Sequence, residues 1–303
     1  MGAILNPLYT AVSWVIISIH DLLAPIFGSA SGVTWSLSII GLVILIRVIL
    51  IPLFVKQIKS QRALTALQPQ MKAIQAKYKD DRQKQSEEMM KLYKEHKTNP
   101  LASCFPILAQ APIFFALFTV LNGIGKNPPV KHGVLTQADV VNAAQAKFFG
   151  APISETFLGS DKVTVKIVTV LLIAFMSGTT FTTQRQLMVK GMPKMDASNN
   201  MMLQQQKIML YLFPIIFAIS GVNFPVGVLI YWSTTNLWTW GQQFYVIKRN
   251  PTPGSPAYEE LQRKRAQKAK ADGKDVEGID QGQAAEPEVQ GQRQQPKKKK
   301  KKK

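Results

Sequence analysis

The run from Leu37 to Leu53, LSIIGLVILIRVILIPL, constrains this chain more than any other stretch. It is long and apolar enough to cross a bilayer, and it holds one charge, Arg47. At about 1.5 Å per residue, Arg47 lies roughly 13 Å before Lys56, the first basic residue after it. The guanidinium therefore falls inside the hydrocarbon layer. An arginine at that depth costs about 2.5 to 3.5 kcal/mol on the mildest insertion scale, which marks Arg47 as a functional-site candidate. The structural alternative is a side chain that snorkels to the headgroups or pairs with backbone carbonyls, but snorkelling reaches only slightly beyond the side chain's own length.

The 303 residues are 46% hydrophobic yet carry a net charge of +19. Apolar blocks alternate with blocks dense in lysine and arginine, the pattern of a multi-span membrane protein; a soluble basic domain would spread its charges over every element. The single cysteine, Cys104, excludes an internal disulfide and sits in an apolar block as a small core residue. His20, His96 and His132 all lie outside the spanning blocks.

Residues 1–32 carry apolar positions at helical spacing from Leu5 to Ile26. They read either as a spanning helix or as one lying in the interface, and an interfacial helix on the outer surface is expected. They lack a basic n-region and a cleavage site. Span one covers 33–55. Residues 56–100, with eleven basic and five acidic residues, form an amphipathic helical hairpin. Its seam is Leu64, Leu67, Met71, Ile74 and Tyr78 against Met89, Leu92 and Tyr93, with Asp80-Asp81 at the turn. Span two is 101–125, with Pro106 and Pro112. An external loop, 126–162, holds a short helix from Thr136 to Phe148, whose Thr136 and Asp139 form a capping box. Span three is 163–185, a Met- and Gln-rich loop 186–207, span four 208–223, and span five 224–247. The tail, 248–303, ends in seven lysines and is too polar to build a core. The fold class is thus an all-α integral membrane protein of five transmembrane helices, with a helical hairpin between spans one and two.

The hairpin, the 184–207 loop and the tail carry eleven, four and sixteen basic residues, whereas 126–163 carries four in 38 residues. The positive-inside bias puts the N-terminus outside and the C-terminus in the cytoplasm, with Arg47 in the cytoplasmic half of the bilayer.

No spanning block contains Asp, Glu or His, and there is no HExxH, phosphate-loop or dinucleotide motif. An enzyme is not expected, nor a cofactor or metal. What remains is a buried cation among neutral polar groups: Gln110, the Thr179–Gln184 run that includes Thr180, and the Thr234–Asn236 run. Gathered inside the bundle they would line a wet cavity, since polar groups facing lipid go unsatisfied. As interhelical contacts each would contribute only about 0.6 kcal/mol. Gln110, Gln184 and Asn236 are the costliest to bury and the stronger cavity candidates.

The run LQPQMKAIQAKYKDDRQKQSEEMMKLYKEHKTNPLASCFPILAQAPIFFALF, Leu67 to Phe118, resembles the hairpin and following span of the YidC/Oxa/Alb membrane protein insertase family. NFPVGVLIYWSTTNLWTWGQQ, Asn223 to Gln243, is similar to the family's last span, with its FP-x-G-x-x-x-YW-x-x-x-N pattern, and Arg47 in ILIRVILIPL matches the span-one arginine. The resemblance implies five spans around a groove open to the cytoplasm and to lipid and closed outside. It implies insertion of nascent membrane proteins, alone or beside the Sec translocon, with Arg47 drawing in acidic external segments of the client. Gln184, Tyr231 and Trp232 match groove positions. The hairpin would receive clients and contact the ribosome or targeting machinery. With about 33 residues before span one, no large periplasmic domain is expected, a form that looks most like actinobacterial members. Some members carry a threonine one turn before the arginine; here that position is Val43.

On this reading a client's polar segment enters from the cytoplasm, Arg47 offsets the desolvation of its carboxylates, and the short fourth span thins the bilayer. The lysine tail binds either ribosomal RNA or anionic lipid. Two other functions stay open: a small-solute or anion channel or transporter built around Arg47, and an assembly factor that holds membrane proteins without moving them. Transporters commonly show internal repeats, and none is visible here.

Overall fold

The computed structural model describes residues 2–96, 98–99, 105–126, 128–192 and 201–271. The expectations for Cys104, for the start of span two and for the seven C-terminal lysines fall outside these residues.

The chain is an all-α membrane protein. Helix α1, Gly2–Phe27, ends on Gly28, whose φ of +89° suits glycine, and Ser31 then caps α2, Gly32–Ile49, accepting from the Val33 amide at 3.2 Å. Among the described residues three segments are long and apolar enough to cross a membrane: Leu5–Phe27, Gly32–Ile49 and Val163–Gly191. Helix α1 packs along α2, where Ile19 closes on Gly41. Its two halves are also pinned separately. Ser13 Oγ accepts from the Val134 amide at 2.9 Å, and buried His20 donates through Nε2 to the Ser29 carbonyl at 2.8 Å while its ring lies against Trp35.

The helix breaks at Leu50, two residues before Pro52, whose ring excludes a carbonyl one turn earlier. Helix α3, Ile51–Ala66, then runs past the expected end of span one at residue 55, so the span and the first arm of the hairpin form one kinked rod. Helices α4, Gln68–Lys77, and α5, Arg82–Glu95, complete the hairpin. Asp81 caps α5, accepting from the Lys84 amide at 2.9 Å. The arms meet where Tyr93 Oη lies 3.8 Å from Met71 Sδ and where Leu67 and Leu92 are buried. Burial pushes the Tyr93 phenol above its ordinary range.

Helix α6, Phe105–Ile124, leads into a cap. Helix α7, Gln137–Gln145, carries the expected capping box: Thr136 N donates to Asp139 at 2.8 Å and Asp139 N to Thr136 Oγ1 at 3.2 Å. It stops at Gln145 rather than Phe148, because Lys147–Phe148 (β1) turns back antiparallel on Ala151–Pro152 (β2). The connecting Phe149 and Gly150 both have positive φ, as a two-residue hairpin turn requires. The cap buries Leu135, Val140, Ala143, Ala146, Ala151 and Ile153 against the bundle.

Helix α8, Val163–Gln186, is followed by a π-helical turn, Leu187–Gly191. Helix α9, Met201–Gly221, begins seven residues before the expected span four, converting part of the expected 186–207 loop to helix. Its apolar part still starts near Ile208. Helix α10, Val226–Arg249, begins on the cap, where the Val226 amide donates to the Glu155 carbonyl (3.0 Å) and the Gly227 amide to the Ile153 carbonyl (2.8 Å). These bonds satisfy donors that a buried helix start would otherwise leave open. The expected tail is helical in its first part: α11, Pro256–Ala271, folds back against the π turn and the end of α10.

Packing is graded along the bundle. On α10 every residue from Val226 to Tyr231 is buried; on α2 burial is concentrated between Thr34 and Val43, and on α6 between Ala116 and Ile124. All three stretches lie toward the cap. Beyond them the helices diverge.

Candidate functional site

The divergence leaves a cavity of about 590 Å³ between α2, α3, α6, α9 and α10. One face of α10 supplies a whole wall: Tyr231, Trp232, Thr235, Asn236, Thr239, Gln242 and Gln243 recur at one- and three- to four-residue steps. From Tyr231 to Gln243 that wall is about 18 Å long. Gln57 and Ile58 of α3 line the same cavity as Gln242 and Gln243.

Arg47 lies at the inner end, 7% exposed, in the last turn of α2. Its guanidinium sits over the Phe54 ring, 5.3 Å from the centroid, a cation–π contact that bridges the break at Leu50. Arg47 Nε has no hydrogen-bond partner among the described residues. Opposite, Gln110 donates to the hydroxyl of buried Tyr231, joining α6 to α10 at the cavity's inner end. The lower wall is aromatic. Phe114 stacks on Trp232 at 5.1 Å and 3°, and Phe217 and Phe224 meet the indole edge-on. Val43, one turn before Arg47, is buried and keeps that side dry.

Of the seven residues singled out from sequence, Arg47, Gln110, Tyr231, Trp232 and Asn236 line this cavity. Thr180 and Gln184 line a smaller one of about 190 Å³ between α8, α9 and α10, which shares Phe217, Asn236 and Thr239 with the first. Most hydroxyls in the two runs bond back to their own helix instead. Thr179 reaches Phe175, Thr183 reaches Thr179 and Thr234 reaches Ile230, each at 2.7–2.8 Å. The amides behave differently: Gln184 Oε1 and Asn236 Nδ2 are buried without a partner among the described residues. Phe54, Phe114, Phe217, Thr239, Gln242 and Gln243 also line the cavity and were not singled out; the signal for the last three was the shared face with Trp232 and Asn236.

The site therefore pairs one fixed positive charge with unpaired amides and an aromatic floor. Such a lining is complementary to an anionic or hydrogen-bonding group. Among the described residues no group of three or more metal-ligating side chains gathers.

The cap closes the far end. Lys162 and Ser160 bond the Glu155 carboxylate; burial would raise Glu155, but these hydrogen bonds together with the charges of Lys162 and Lys147 outweigh it and hold the carboxyl below its ordinary range. His132, packed edge-on to Tyr9, is lowered by burial and then by Lys126.

Comparison with known proteins gives the family. Residues 26–253 match the profile described as 60Kd inner membrane protein. A protein of Streptomyces avermitilis named Membrane protein insertase YidC is 55% identical over 255 residues, which cover 81% of this chain and 59% of that one. Proteins of the same name from Tropheryma whipplei and Mycolicibacterium paratuberculosis are 37% and 32% identical, with 86% and 89% of this chain covered and 89% and 82% of theirs. This chain, a multi-pass protein of the bacterial membrane, belongs to the 60Kd inner membrane protein family, among the YidC-type insertases.

Proposed function

We propose that this chain inserts nascent membrane proteins into the bacterial plasma membrane through the cavity between α2, α6 and α10, without catalysing a covalent step. The observation that carries the reading is Arg47: a buried cation lining a cavity with Gln110, Tyr231, Trp232 and Asn236. A client's hydrophilic segment enters from the cytoplasm, and Arg47 offsets the desolvation of its carboxylates. Gln110, Thr180, Gln184 and Asn236 hydrogen-bond its backbone, while Tyr231 and Trp232 floor the groove. The client's apolar helix then leaves sideways into lipid, driven by transfer out of water.

The charge asymmetry of the loops supports a cytoplasmic hairpin and C-terminus. The bond from the Val134 amide of the cap to Ser13 supports an N-terminal helix lying on the outer surface. The apolar part of α9 from Ile208 to Gly221 spans only about 21 Å, which favours local thinning of the bilayer. The hairpin is the surface for ribosome or targeting contacts. Work alone or beside the Sec translocon, and chaperoning of clients held in the groove, follow from the same lateral opening.

The test is insertion into sealed vesicles containing the purified chain, read by protease protection of a client with an acidic external tail. Arg47→Ala and Arg47→Glu lower the protected fraction and Arg47→Lys does not. Normal insertion by Arg47→Glu refutes the charge-recruitment reading.

A further inference from the structure

The geometry points to a second site: we infer that the cleft beneath α11 binds the headgroup and upper acyl chains of one anionic phospholipid. The inference depends on α10 crossing the membrane and not on the insertase reading.

The cleft, about 450 Å³, lies between α11, the π turn and the last turns of α10. Four cations from three separate elements border it: Lys190 on the π turn, Lys248 and Arg249 on α10, and Lys264 on α11. One carboxylate, Glu260, also borders it and is taken up by Lys264 at 2.6 Å. The rim is thus strongly positive. Beneath it the wall is apolar, made by Phe244, Ile247 and Leu261. The change from apolar to charged comes between Ile247 and Lys248, where α10 leaves hydrocarbon for the headgroup layer, and exposed Tyr245 lies at the same level. Gln186 on the cleft wall adds an independent sign, since its buried Oε1 has no hydrogen-bond partner among the described residues. A glycerol headgroup beside the phosphate supplies the missing donor.

Phosphate alone would explain the rim but not the wall. A nucleic-acid phosphate gains nothing from Phe244, Ile247 and Leu261, whereas a diacyl lipid uses rim and wall together, and at this depth lipid is the solvent. With the lipid in place α11 is held on the membrane surface beside the mouth of the bundle.

The experiment is native mass spectrometry of the full chain in a non-ionic detergent, titrated with dioleoylphosphatidylglycerol, dioleoylphosphatidylcholine or a short single-stranded RNA. The chain retains one phosphatidylglycerol at least about tenfold more tightly than phosphatidylcholine. Replacing Lys190, Lys248 and Arg249 together by glutamine weakens phosphatidylglycerol roughly 100-fold, about fivefold per cation. A control with Lys72, Lys77 and Lys79 of the hairpin replaced by glutamine loses the same charge and keeps the lipid, and the C-terminal lysines are common to all three proteins. Leu261→Asp weakens the lipid through the wall alone; unchanged helical circular dichroism checks that each variant is folded. Equal retention of the two lipids overturns the inference. So does equal loss in the control, an unaffected triple variant, or RNA binding that depends on the same three cations while phosphatidylglycerol binding does not.

Discussion

Gly32→Ala is the substitution whose cost the structure states most directly. A Cβ at Gly32 would stand 1.7 Å from the Lys147 carbonyl oxygen and 2.4 Å from its carbon, both backbone atoms of β1. No rotamer change relieves such a contact, so β1 has to move off α2 by more than 1 Å, a shift of about 1.3 Å being needed to reach even a 3.0 Å separation. The expected cost is at the upper end of overpacking, about 3 kcal/mol. That corresponds to a fall in Tm of about 5 °C for a chain of this size. Gly178 and Gly241 are internal controls: a Cβ at either meets nothing within 4 Å. Alanine at those helical positions is neutral or stabilising by up to about 1 kcal/mol. Thermal unfolding of the three variants in one detergent is the assay. Because β1 belongs to the cap that roofs the start of α10, Gly32→Ala also lets a small fluorophore leak from sealed vesicles when Gly178→Ala does not. A Gly32→Ala variant that melts within 2 °C of the parent refutes the packing of β1 on α2, and a tight one that melts early refutes the sealing role of the cap.

Two further outcomes follow from named contacts. Gln110→Leu and Tyr231→Phe each cost about 1 kcal/mol, and the double variant costs little more than either, because both remove one hydrogen bond between α6 and α10; additive losses in chemical denaturation refute the coupling. His132 titrates below the ordinary imidazole value in the folded chain, so its contribution is complete above the unfolded pKa of about 6.5 and is lost as pH falls through the folded one. Tm therefore drops on acidification below that value, and His132→Gln flattens the slope; an identical slope in the variant assigns the effect elsewhere.

How much of this was legible beforehand depended on whether a residue's role left a local trace. Arg47 stood out because a charge in an apolar run has no cheap explanation, and the Thr136 cap because a capping box is written in a short spacing, whereas Asp81 was legible as a turn residue and not as the cap of α5. The β1–β2 hairpin left none: its turn places Phe149 at a φ of +50°, a conformation for which phenylalanine is no signal. The start of α9 looked like a loop because MMLQQQK is polar on average, yet methionine and glutamine are good helix formers. Helix α11 was hidden similarly, since Ala257 and Leu261 are its only apolar side chains on the cleft and most of the remaining segment is polar or charged. Phe54, Phe114 and Phe217 could not be told from lipid-facing aromatics, because both settings reward the same side chain. Which polar groups stay open emerged only in three dimensions, where Thr179, Thr183 and Thr234 found carbonyls on their own helix and Gln184, Thr235 and Asn236 kept an atom without a partner among the described residues.

The interruption at Leu50 falls between the two members of one contact, Arg47 before it and Phe54 after it. Helix α3 is then a lever about 24 Å long pivoting three residues from the guanidinium. A swing of about 10° carries its far end through about 4 Å, while Phe54, about 6 Å from the pivot, slides by about 1 Å across the charge it covers. Force applied to the projecting arms is thereby geared down into a small change in how much of that cation is uncovered.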